Sequence, residues 1–551
     1  MPPVSTNALR TTHATAWLAA ALLQGFSGWA QAQVHSPDTD RAVREAATSP
    51  GPGDTSFVLT ALAFEGNTRF STAALQALTH DAIGRHMTLD ELHLLAERVT
   101  AHYRSGGYVL TRTVIQPQDV SGGRVTMTVI EGRLGRARIE RLDDVPAGAG
   151  LIEGVVARLP TDRPLRAGEL ERTVLLLSDM PGVISQAALE TGAQAGTYDL
   201  VIDVKAAPRY NFSADIDNQG SRATGELRIG ASARVNGPLG RGDNLDLRLL
   251  TSVDKGLHFG RLSYELPFGA DGWRASIAYG RVQYDLGKDF AVLDAYGSAD
   301  VVEIAASYPV LRSRARNLFA KAGLEAKRLE DHIGAVAQVS NKRAHNLNLG
   351  LVFEARDSLL GGGYTSASAN LYAGELTLRS QADLSLDQGP FGRDTAGRFV
   401  RVGFTASRLQ ALGRNVSVYL ALAGQRANRN LDSADRIAIG GPRAVRAYSS
   451  AAGIGDEGLI ANIELRWSVT AATSLSVFHD IGRVRLNRRA AASDPDNHRT
   501  LAGPGAALYW TFMQGAALRA SLAWPERDPG PAATRHDQRS PRLYAQLVNV
   551  F

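Results

Sequence analysis

Residues 227–235 read LRIGASARV, and they alternate without a break: Leu227, Ile229, Ala231, Ala233 and Val235 on one parity, Arg228, Gly230, Ser232 and Arg234 on the other. Side chains of an extended strand point to opposite faces in turn, so one face of this strand is aliphatic and the other polar. The pattern recurs. Leu245, Leu247 and Leu249 alternate with Asp246 and Arg248, and Val416, Val418, Leu420 and Leu422 alternate with Ser417, Tyr419 and Ala421. From Arg209 onward the helical period disappears. Two architectures fit: a soluble sandwich with its apolar face inside, or a membrane barrel with its apolar face outside. Alternation alone does not say which face is wet.

Composition narrows the choice. The chain has 551 residues, 44 % of them hydrophobic, and a net charge of +5 from 60 basic and 55 acidic residues. That is ordinary for a folded protein and long enough for several domains. After the first thirty or so residues no window holds 18 consecutive apolar residues. A chain crossing a membrane by helices is thereby excluded, but one crossing by strands is not. Charge near balance, with no basic stripe, argues against nucleic acid as a partner. The lack of cysteine fits an exported protein without disulfides and weighs little. The closing residues RLYAQLVNVF (542–551) place Leu543, Ala545 and Leu547 on one parity and end on Phe551, as bacterial outer-membrane barrels typically do; Asn549 interrupts that face. At roughly 20 residues per strand and connection, residues 209–551 hold about 16 to 18 strands.

Ahead of this region the pattern is different. Residues 14–26, ATAWLAAALLQGF, are apolar but too short to span as a helix, with Arg10 before them and Ala30-Gln31-Ala32 after. This predicts a secretory signal over 1–32, cleaved after Ala32. Residues 33–54, rich in Pro, Gly, Ser and Asp, read as a linker with a helix-compatible piece at 38–47. Residues 55–131 run β-α-α-β-β. A strand at 57–64 is followed by a helix that Ser71 caps and a helix opened by the Thr88/Glu91 capping box, ending at Gly106-Gly107. Strands at 108–116 and 124–130 close the unit. Residues 132–207 repeat the order, with strands at 136–141, 182–190 and 198–204 and helices at 151–159 and 167–179.

The long interruption at 428–459 contains IAIGGPRAVRAY (437–448), and the strand pattern beyond it contains FHDIG (478–482). There Ser476, Phe478 and Asp480 share the polar parity and Leu475, Val477 and Ile481 the apolar one. An arginine on a loop and an aspartate on a strand's polar face suffice to fold the loop into a barrel and hold it. Short turns at 470–473 and 513–515 alternate with longer polar connections at 487–500 and 525–541. Short turns of such barrels lie on the periplasmic side, so 428–459 leaves the barrel outside and bends back in. About thirteen residues after Arg446 can reach ~43 Å, more than the ~25 Å apolar band.

These stretches resemble a known family. Residues 445–448 are similar to the VRGY loop motif, and FHDIG to the FxDxG strand motif, of the TpsB family: outer-membrane transporters of hemolysin-activator type that secrete exoproteins in two-partner secretion. GYVLTRTVIQPQDVSGGRVTMTVIEG (107–132) resembles a polypeptide-transport-associated (POTRA) domain. ELERTVLLLSDMPGV (169–183) and ALETGAQAGTYDLVIDV (188–204) resemble the family's second POTRA domain, and NQGSRATG (218–225) and GPLGRGDNLDL (237–247) its first barrel strands. The resemblance implies two POTRA domains, 55–131 and 132–207, facing the periplasm, then a transmembrane antiparallel β-barrel of about 16 strands over 208–551. It implies that Arg446 on the inward-folded loop 428–459 meets Asp480, supported by Gly440, Gly441, Val445, Tyr448, Phe478 and Gly482. It implies a monomeric outer-membrane pore surrounded by lipid, without cofactor, that passes a TpsA-type exoprotein unfolded and without ATP. Some members carry a plug helix near the N-terminus, where 33–54 lies. Ala447 stands where the family usually has glycine, which puts the backbone turn there in question.

There is no G-x-S-x-G, H-E-x-x-H or G-x-x-x-x-G-K-[ST]. Gly453, Gly455 and Gly458 fit G-x-G-x-x-G but lack the preceding strand and following helix that dinucleotide binding needs. The 12 histidines show no metal spacing. The remaining alternative is a factor that assembles other outer-membrane proteins, of the BamA or TamA kind; those relatives carry more POTRA repeats than the two that fit here.

Overall fold

The computed structural model describes residues 56–141, 145–390, 392–490, 496–528 and 539–551. The expected signal with its cleavage at Ala32 and the linker or plug helix at 33–54 lie outside the described residues.

The first unit is built from β1 (Phe57–Val58), β2 (Ala61–Glu65), α1 (Thr72–Thr79), β3 (His86–Met87), α2 (Leu89–Ser105), β4 (Arg112–Ile115) and β5 (Arg124–Ile130). Ser71 caps α1, and Thr88 and Glu91 form the reciprocal capping box of α2. Leu75, Leu92, Leu95, Val99 and Tyr103 close over Val125, Met127 and Val129 in one core. β5 is central, with β2 parallel on one side and β4 antiparallel on the other. Two strands are shorter than expected. The first breaks after Val58, because Leu59 and Thr60 turn their N–H groups to the carbonyls of Arg85 and Gly123. Residues 108–111 form a turn in which Thr111 N–H donates to Tyr108 O while the Tyr108 ring meets Phe70 and Tyr103 edge-on.

The second unit repeats the topology with β6 (Arg133–Arg141), α3 (Ala149–Val156), α4 (Ala167–Ser178), β7 (Val183–Thr191) and β8 (Thr197–Ala206), ordered β6-β8-β7. Ile152, Val155 and Leu177 of its helices bury against Leu200, Ile202 and Val204.

The rest closes into a barrel. Its wall runs through β9 (Tyr210–Asp217), β10 (Arg228–Asn236), β11 (Asn244–Ser252), β12 (Leu257–Phe268), β13 (Trp273–Leu286), β14 (Ala295–Arg312), β15 (Arg316–Ile333) and β16 (Gln338–Asp357). It continues with β17 (Gly363–Leu378), β18 (Gly397–Ala411) and β19 (Val416–Ala427). Two short strands inside the following loop, β20 (Ile437–Ala438) and β21 (Ile454–Gly455), stand apart from the wall. β22 (Glu457–Ser468), β23 (Thr473–Arg485), β24 (His498–Met513), β25 (Ala516–Ala523) and β26 (Arg542–Val550) complete it. All sixteen wall strands pair antiparallel, and β26 returns to β9 from Gln546↔Asp217 to Val550↔Ser213. Among the described residues the barrel sheet has no open edge strand.

The faces settle the choice left by alternation. Along β23, Leu475, Val477 and Ile481 are exposed on the outside while Phe478 and Asp480 are buried within. Along β15, Leu324 is exposed outside and Lys327 buried inside. Apolar outside and charged inside is the arrangement of a membrane barrel, not a sandwich. An aromatic cluster, Phe268 with Trp273 and Trp273 with Tyr308, lies on the outer face at the short-turn end. The second unit docks at that end. Arg312 grips the Asp179 carboxylate at 2.6 and 2.8 Å, and Arg172 donates to Pro309 O at 2.9 Å. Long and short connections alternate from β17 onward as expected; between β14 and β16 the wall strands themselves, 18 to 20 residues long, extend in place of loops. Besides short 3-10 turns, one α-helix among the described barrel residues departs from the all-strand expectation: α5 (Gln381–Gln388), which the Ser380 side chain caps.

Glu131, at the end of the first sheet, is buried among donors: Thr68 N–H at 2.7 Å, Arg69 N–H at 2.8 Å, Tyr103 Oη–H at 2.9 Å and the Thr68 hydroxyl. Burial pushes its carboxyl up, but these hydrogen bonds outweigh it and hold the group below its ordinary value. A lowered folded value contributes stability that is present above the unfolded pKa, ~4.3, and is lost as pH falls through the folded one. Hydrogen exchange over residues 57–131 of the full chain should therefore accelerate below about pH 4. Glu131→Gln should lower local stability by about 1.5–3 kcal/mol and flatten that acid dependence.

Candidate functional site

The segment between β19 and β22 does not stay outside. It passes into the lumen as a hairpin, β20 pairing with β21 through Ile437↔Gly455 and Ala438↔Ile454. Beyond this pair the chain satisfies its own backbone: Ile439 N–H donates to Gly453 O at 2.8 Å, Val445 N–H to Ile439 O at 3.0 Å and Gly441 N–H to Tyr448 O at 3.0 Å. A Cβ on Gly440 would lie 2.2 Å from Ser449 O, and Gly441 sits at φ +107°, so both glycines are needed for the bend.

At the hairpin's inner end lies Arg446. Its Nε and Nη2 donate to the two oxygens of Asp480 at 2.8 and 2.9 Å, and its own backbone N–H reaches Asp480 Oδ2 at 3.1 Å. Asn462, directly across from Asp480 on β22, donates to Oδ1 at 2.7 Å and to Ala444 O at 3.0 Å. Four donors thus fill the lone-pair sites of a carboxylate with no solvent exposure. The remaining Nη1 of Arg446 meets Glu464 Oε2 at 3.1 Å, while Arg466 holds the other Glu464 oxygen at 3.0 Å. The guanidinium lies 3.2 Å from the centroid of the Phe478 ring.

Apolar packing seats the hairpin beside this cluster. Ile439, Val445, Ala447 and Tyr448 bury against Phe478, Val484, Leu501 and Ala523. The wall there is made smooth by glycine. A Cβ on Gly482 would come within 3.0 Å of both Ile439 and Val445, and one on Gly503 would come 2.7 Å from the Ala447 methyl. Tyr448 Oη lies 3.0 Å from Ala502 O and accepts Arg527 N–H at 2.9 Å, and Tyr448 O accepts Tyr544 Oη–H at 2.9 Å. Ala447 does not adopt left-handed backbone, so the turn accommodates a methyl, which Gly503 receives on the opposite strand.

A second charged tier, not anticipated from sequence, fixes the hairpin's root. Asp435 meets Lys327 of β15 at 2.9 Å and Arg401 of β18 at 3.2 Å. Asp432 meets Lys342 of β16 at 3.0 Å, and Lys342 also reaches Asp331 at 3.1 Å. Asp456 gathers Arg436 and Arg393, each at 3.1 Å. The loop is therefore tied to two separate arcs of wall, β22–β23 at its tip and β15–β18 at its root. The signal for these partners was in the alternation: Lys327, Glu464 and Asn462 all occupy the inward parity of their strands.

The expected site residues thus come together. Arg446 and Asp480 are bonded; Gly440 and Gly441 shape the bend; Val445, Tyr448, Phe478 and Gly482 form the seat. Gly453 and Gly455 lie in the returning limb, where a Cβ on Gly455 would strike Arg485 O at 2.2 Å. Among the described residues no group of His, Asp and Glu is placed to hold a metal ion.

Comparison with known proteins bears on the family and the fold. The family described as "Haemolysin secretion/activation protein ShlB/FhaC/HecB" matches residues 196–509, and "POTRA domain, ShlB-type" matches residues 57–132. The Heme/hemopexin transporter protein HuxB of Haemophilus influenzae (strain 86-028NP) is 25% identical over 88% of this chain and 85% of that protein. The Outer membrane transporter CdiB of Dickeya dadantii is 23% identical over 75% of this chain and 72% of its own. Among solved structures, CdiB from Escherichia coli superposes with a TM-score of 0.70 at 19% identity, covering 92% of this chain and 93% of that one. BamA from Haemophilus ducreyi lacking POTRA domains 1–3 gives 0.54 at 15% identity, over 90% of this chain and all of that one. A closed sixteen-stranded barrel behind a POTRA region, matched by the family over more than half its length, places this chain in the ShlB/FhaC/HecB family of outer-membrane transporters of two-partner secretion.

Proposed function

We propose that this protein is a monomeric outer-membrane pore that captures one large TpsA-type exoprotein in the periplasm and passes it outward unfolded, without ATP. The observation that carries the reading is the polar lumen with a hairpin clamped across it by Arg446 and Asp480. In this reading both α+β units are POTRA domains that bind an extended segment of the partner. Sixteen strands close within one chain, so no second copy is needed to complete the wall. The hairpin is the gate. Its tip and root are held mainly by charge, which a polar, extended polypeptide can replace bond for bond as it enters. Folding of the substrate outside then makes the movement one-way. The curated relatives are named for a heme/hemopexin transporter and for CdiB transporters; the class of cargo here is a partner exoprotein of the same secretion type.

Removing one member of the buried pair leaves the other uncompensated, at about 3–5 kcal/mol. Arg446→Ala or Asp480→Ala should reduce secretion of the cognate exoprotein at least tenfold while the barrel still assembles, read by heat-modifiable mobility on gels. Undiminished export would refute the gate. Gly482→Val should push Ile439 and Val445 off the wall, at an overpacking cost of about 1–3 kcal/mol, and raise single-channel conductance in planar bilayers. An unchanged conductance would show that the hairpin does not close the pore. Depletion of the protein should remove one exoprotein from the medium; a general loss of outer-membrane proteins would instead mark an assembly factor.

A further inference from the structure

We infer that the outward face of β15 and β16 binds the phosphate headgroup of a lipid of the outer leaflet, between Arg328 and Arg343. This surface is separate from the hairpin and from the secretion pathway. Lys327 and Leu329, and Ala344 and Asn346, are the buried, lumen-side residues of the two strands. Arg328 and Arg343 therefore project to the outside, and the register sets them directly opposite each other.

Their height on the wall is given by the same face. Outward from the short-turn end it carries Leu351, Leu349 and Leu347 on β16 and Ala322, Leu324 and Ala326 on β15, with Leu324 65% exposed. Arg328 is the next outward residue after Ala326; on β16, His345 alone separates Arg343 from Leu347. The pair thus sits where the apolar band ends, on the side away from the α+β units, which is the level of outer-leaflet headgroups.

Asp300, Glu330 and Glu375 share this outward face, and each is engaged by a residue other than Arg328 and Arg343. Asp300, across from Arg328 on β14, already takes Arg281 at 3.0 Å and Tyr279 Oη–H at 2.6 Å. Glu330 is bound to His332 at 2.6 Å, and Glu375, across from His345, lies 3.7 Å from Arg398. Among the described residues none forms an ion pair or hydrogen bond with the side chain of Arg328 or Arg343. Like charges directly opposite on one sheet face repel and destabilise the pair. A tetrahedral phosphate between them reverses the sign, because each guanidinium can present a fork of N–H donors to its oxygens. Thr377, opposite Arg343 on β17, adds a hydroxyl on the same face. The acyl chains of the same molecule would lie over Leu324 and Leu347, which makes a lipid rather than a free anion the fitting ligand.

The test uses the full protein, purified in detergent and stripped of lipid, then titrated with a lipopolysaccharide lacking its O-chain, retention being read by native mass spectrometry. The unmodified protein should retain the lipid, and the Arg328→Gln/Arg343→Gln double variant should bind it at least tenfold more weakly. The Arg328→Lys/Arg343→Lys variant should keep most of the binding. The unmodified protein should lose the same tenfold for enzymatically dephosphorylated lipid, an arm that needs no variant to fold. Equal retention by the glutamine variant, or of the dephosphorylated lipid, overturns the proposal. Displacement by millimolar inorganic phosphate overturns the assignment to a lipid.

Discussion

A cation buried inside a water-filled wall is stable only where every one of its directions is answered, and Arg446 meets that condition on three sides. Asp480 takes two of its N–H groups and its backbone, Glu464 takes a third, and the Phe478 ring covers a face. The rest of the hairpin follows from this constraint. Asp480 must be fixed before it can fix anything, and Asn462 on the neighbouring strand does so at 2.7 Å. The backbone that carries Arg446 inward leaves the wall ladder, so it must bond to itself, which the β20–β21 pair and the Gly440-Gly441 bend allow.

The second tier changes what kind of object the loop is. With the tip alone attached, it would be a flap hinged at β19 and β22. With Asp432 and Asp435 bound to lysines of β16 and β15, it spans a chord of the lumen. In the proposed pore, both tiers must yield for a chain to pass. Paired charges suit that duty, since removing water and partner together is costly whereas exchanging one polar partner for another is not. The apolar seat supplies shape: glycines at 482 and 503 let the hairpin approach, and they set how far a side chain can intrude before the seat is lost.

The joint between the second α+β unit and the barrel rests on similar chemistry in a different place. Asp179 at the end of α4 is held by Arg312 of β14, and its carbonyl accepts from Arg274 of β13 at 2.6 Å. This positions the sheet of β6, β7 and β8 at the mouth from which the lumen opens.

Much of this was legible in the residues. Alternation located the strands, the Thr88/Glu91 and Ser71 caps located helix starts, and parity placed Asp480 on the polar face of its strand, because each depends on interactions among residues a few positions apart. The resemblance of VRAY (445–448) and FHDIG (478–482) to the family's loop and strand motifs pointed to Arg446 and Asp480. Short segments were misjudged where a neighbour distant in sequence competed for the backbone, as Arg85 and Gly123 do at Leu59 and Thr60. Which face of the strands is wet, that β26 meets β9, and that Asp432 and Asp435 reach lysines about a hundred residues away were decided only by closure of the sheet. Periodicity is a property of the chain taken alone. Pairing across the lumen exists only once sixteen strands have bent into a cylinder and brought opposite arcs within reach of one loop.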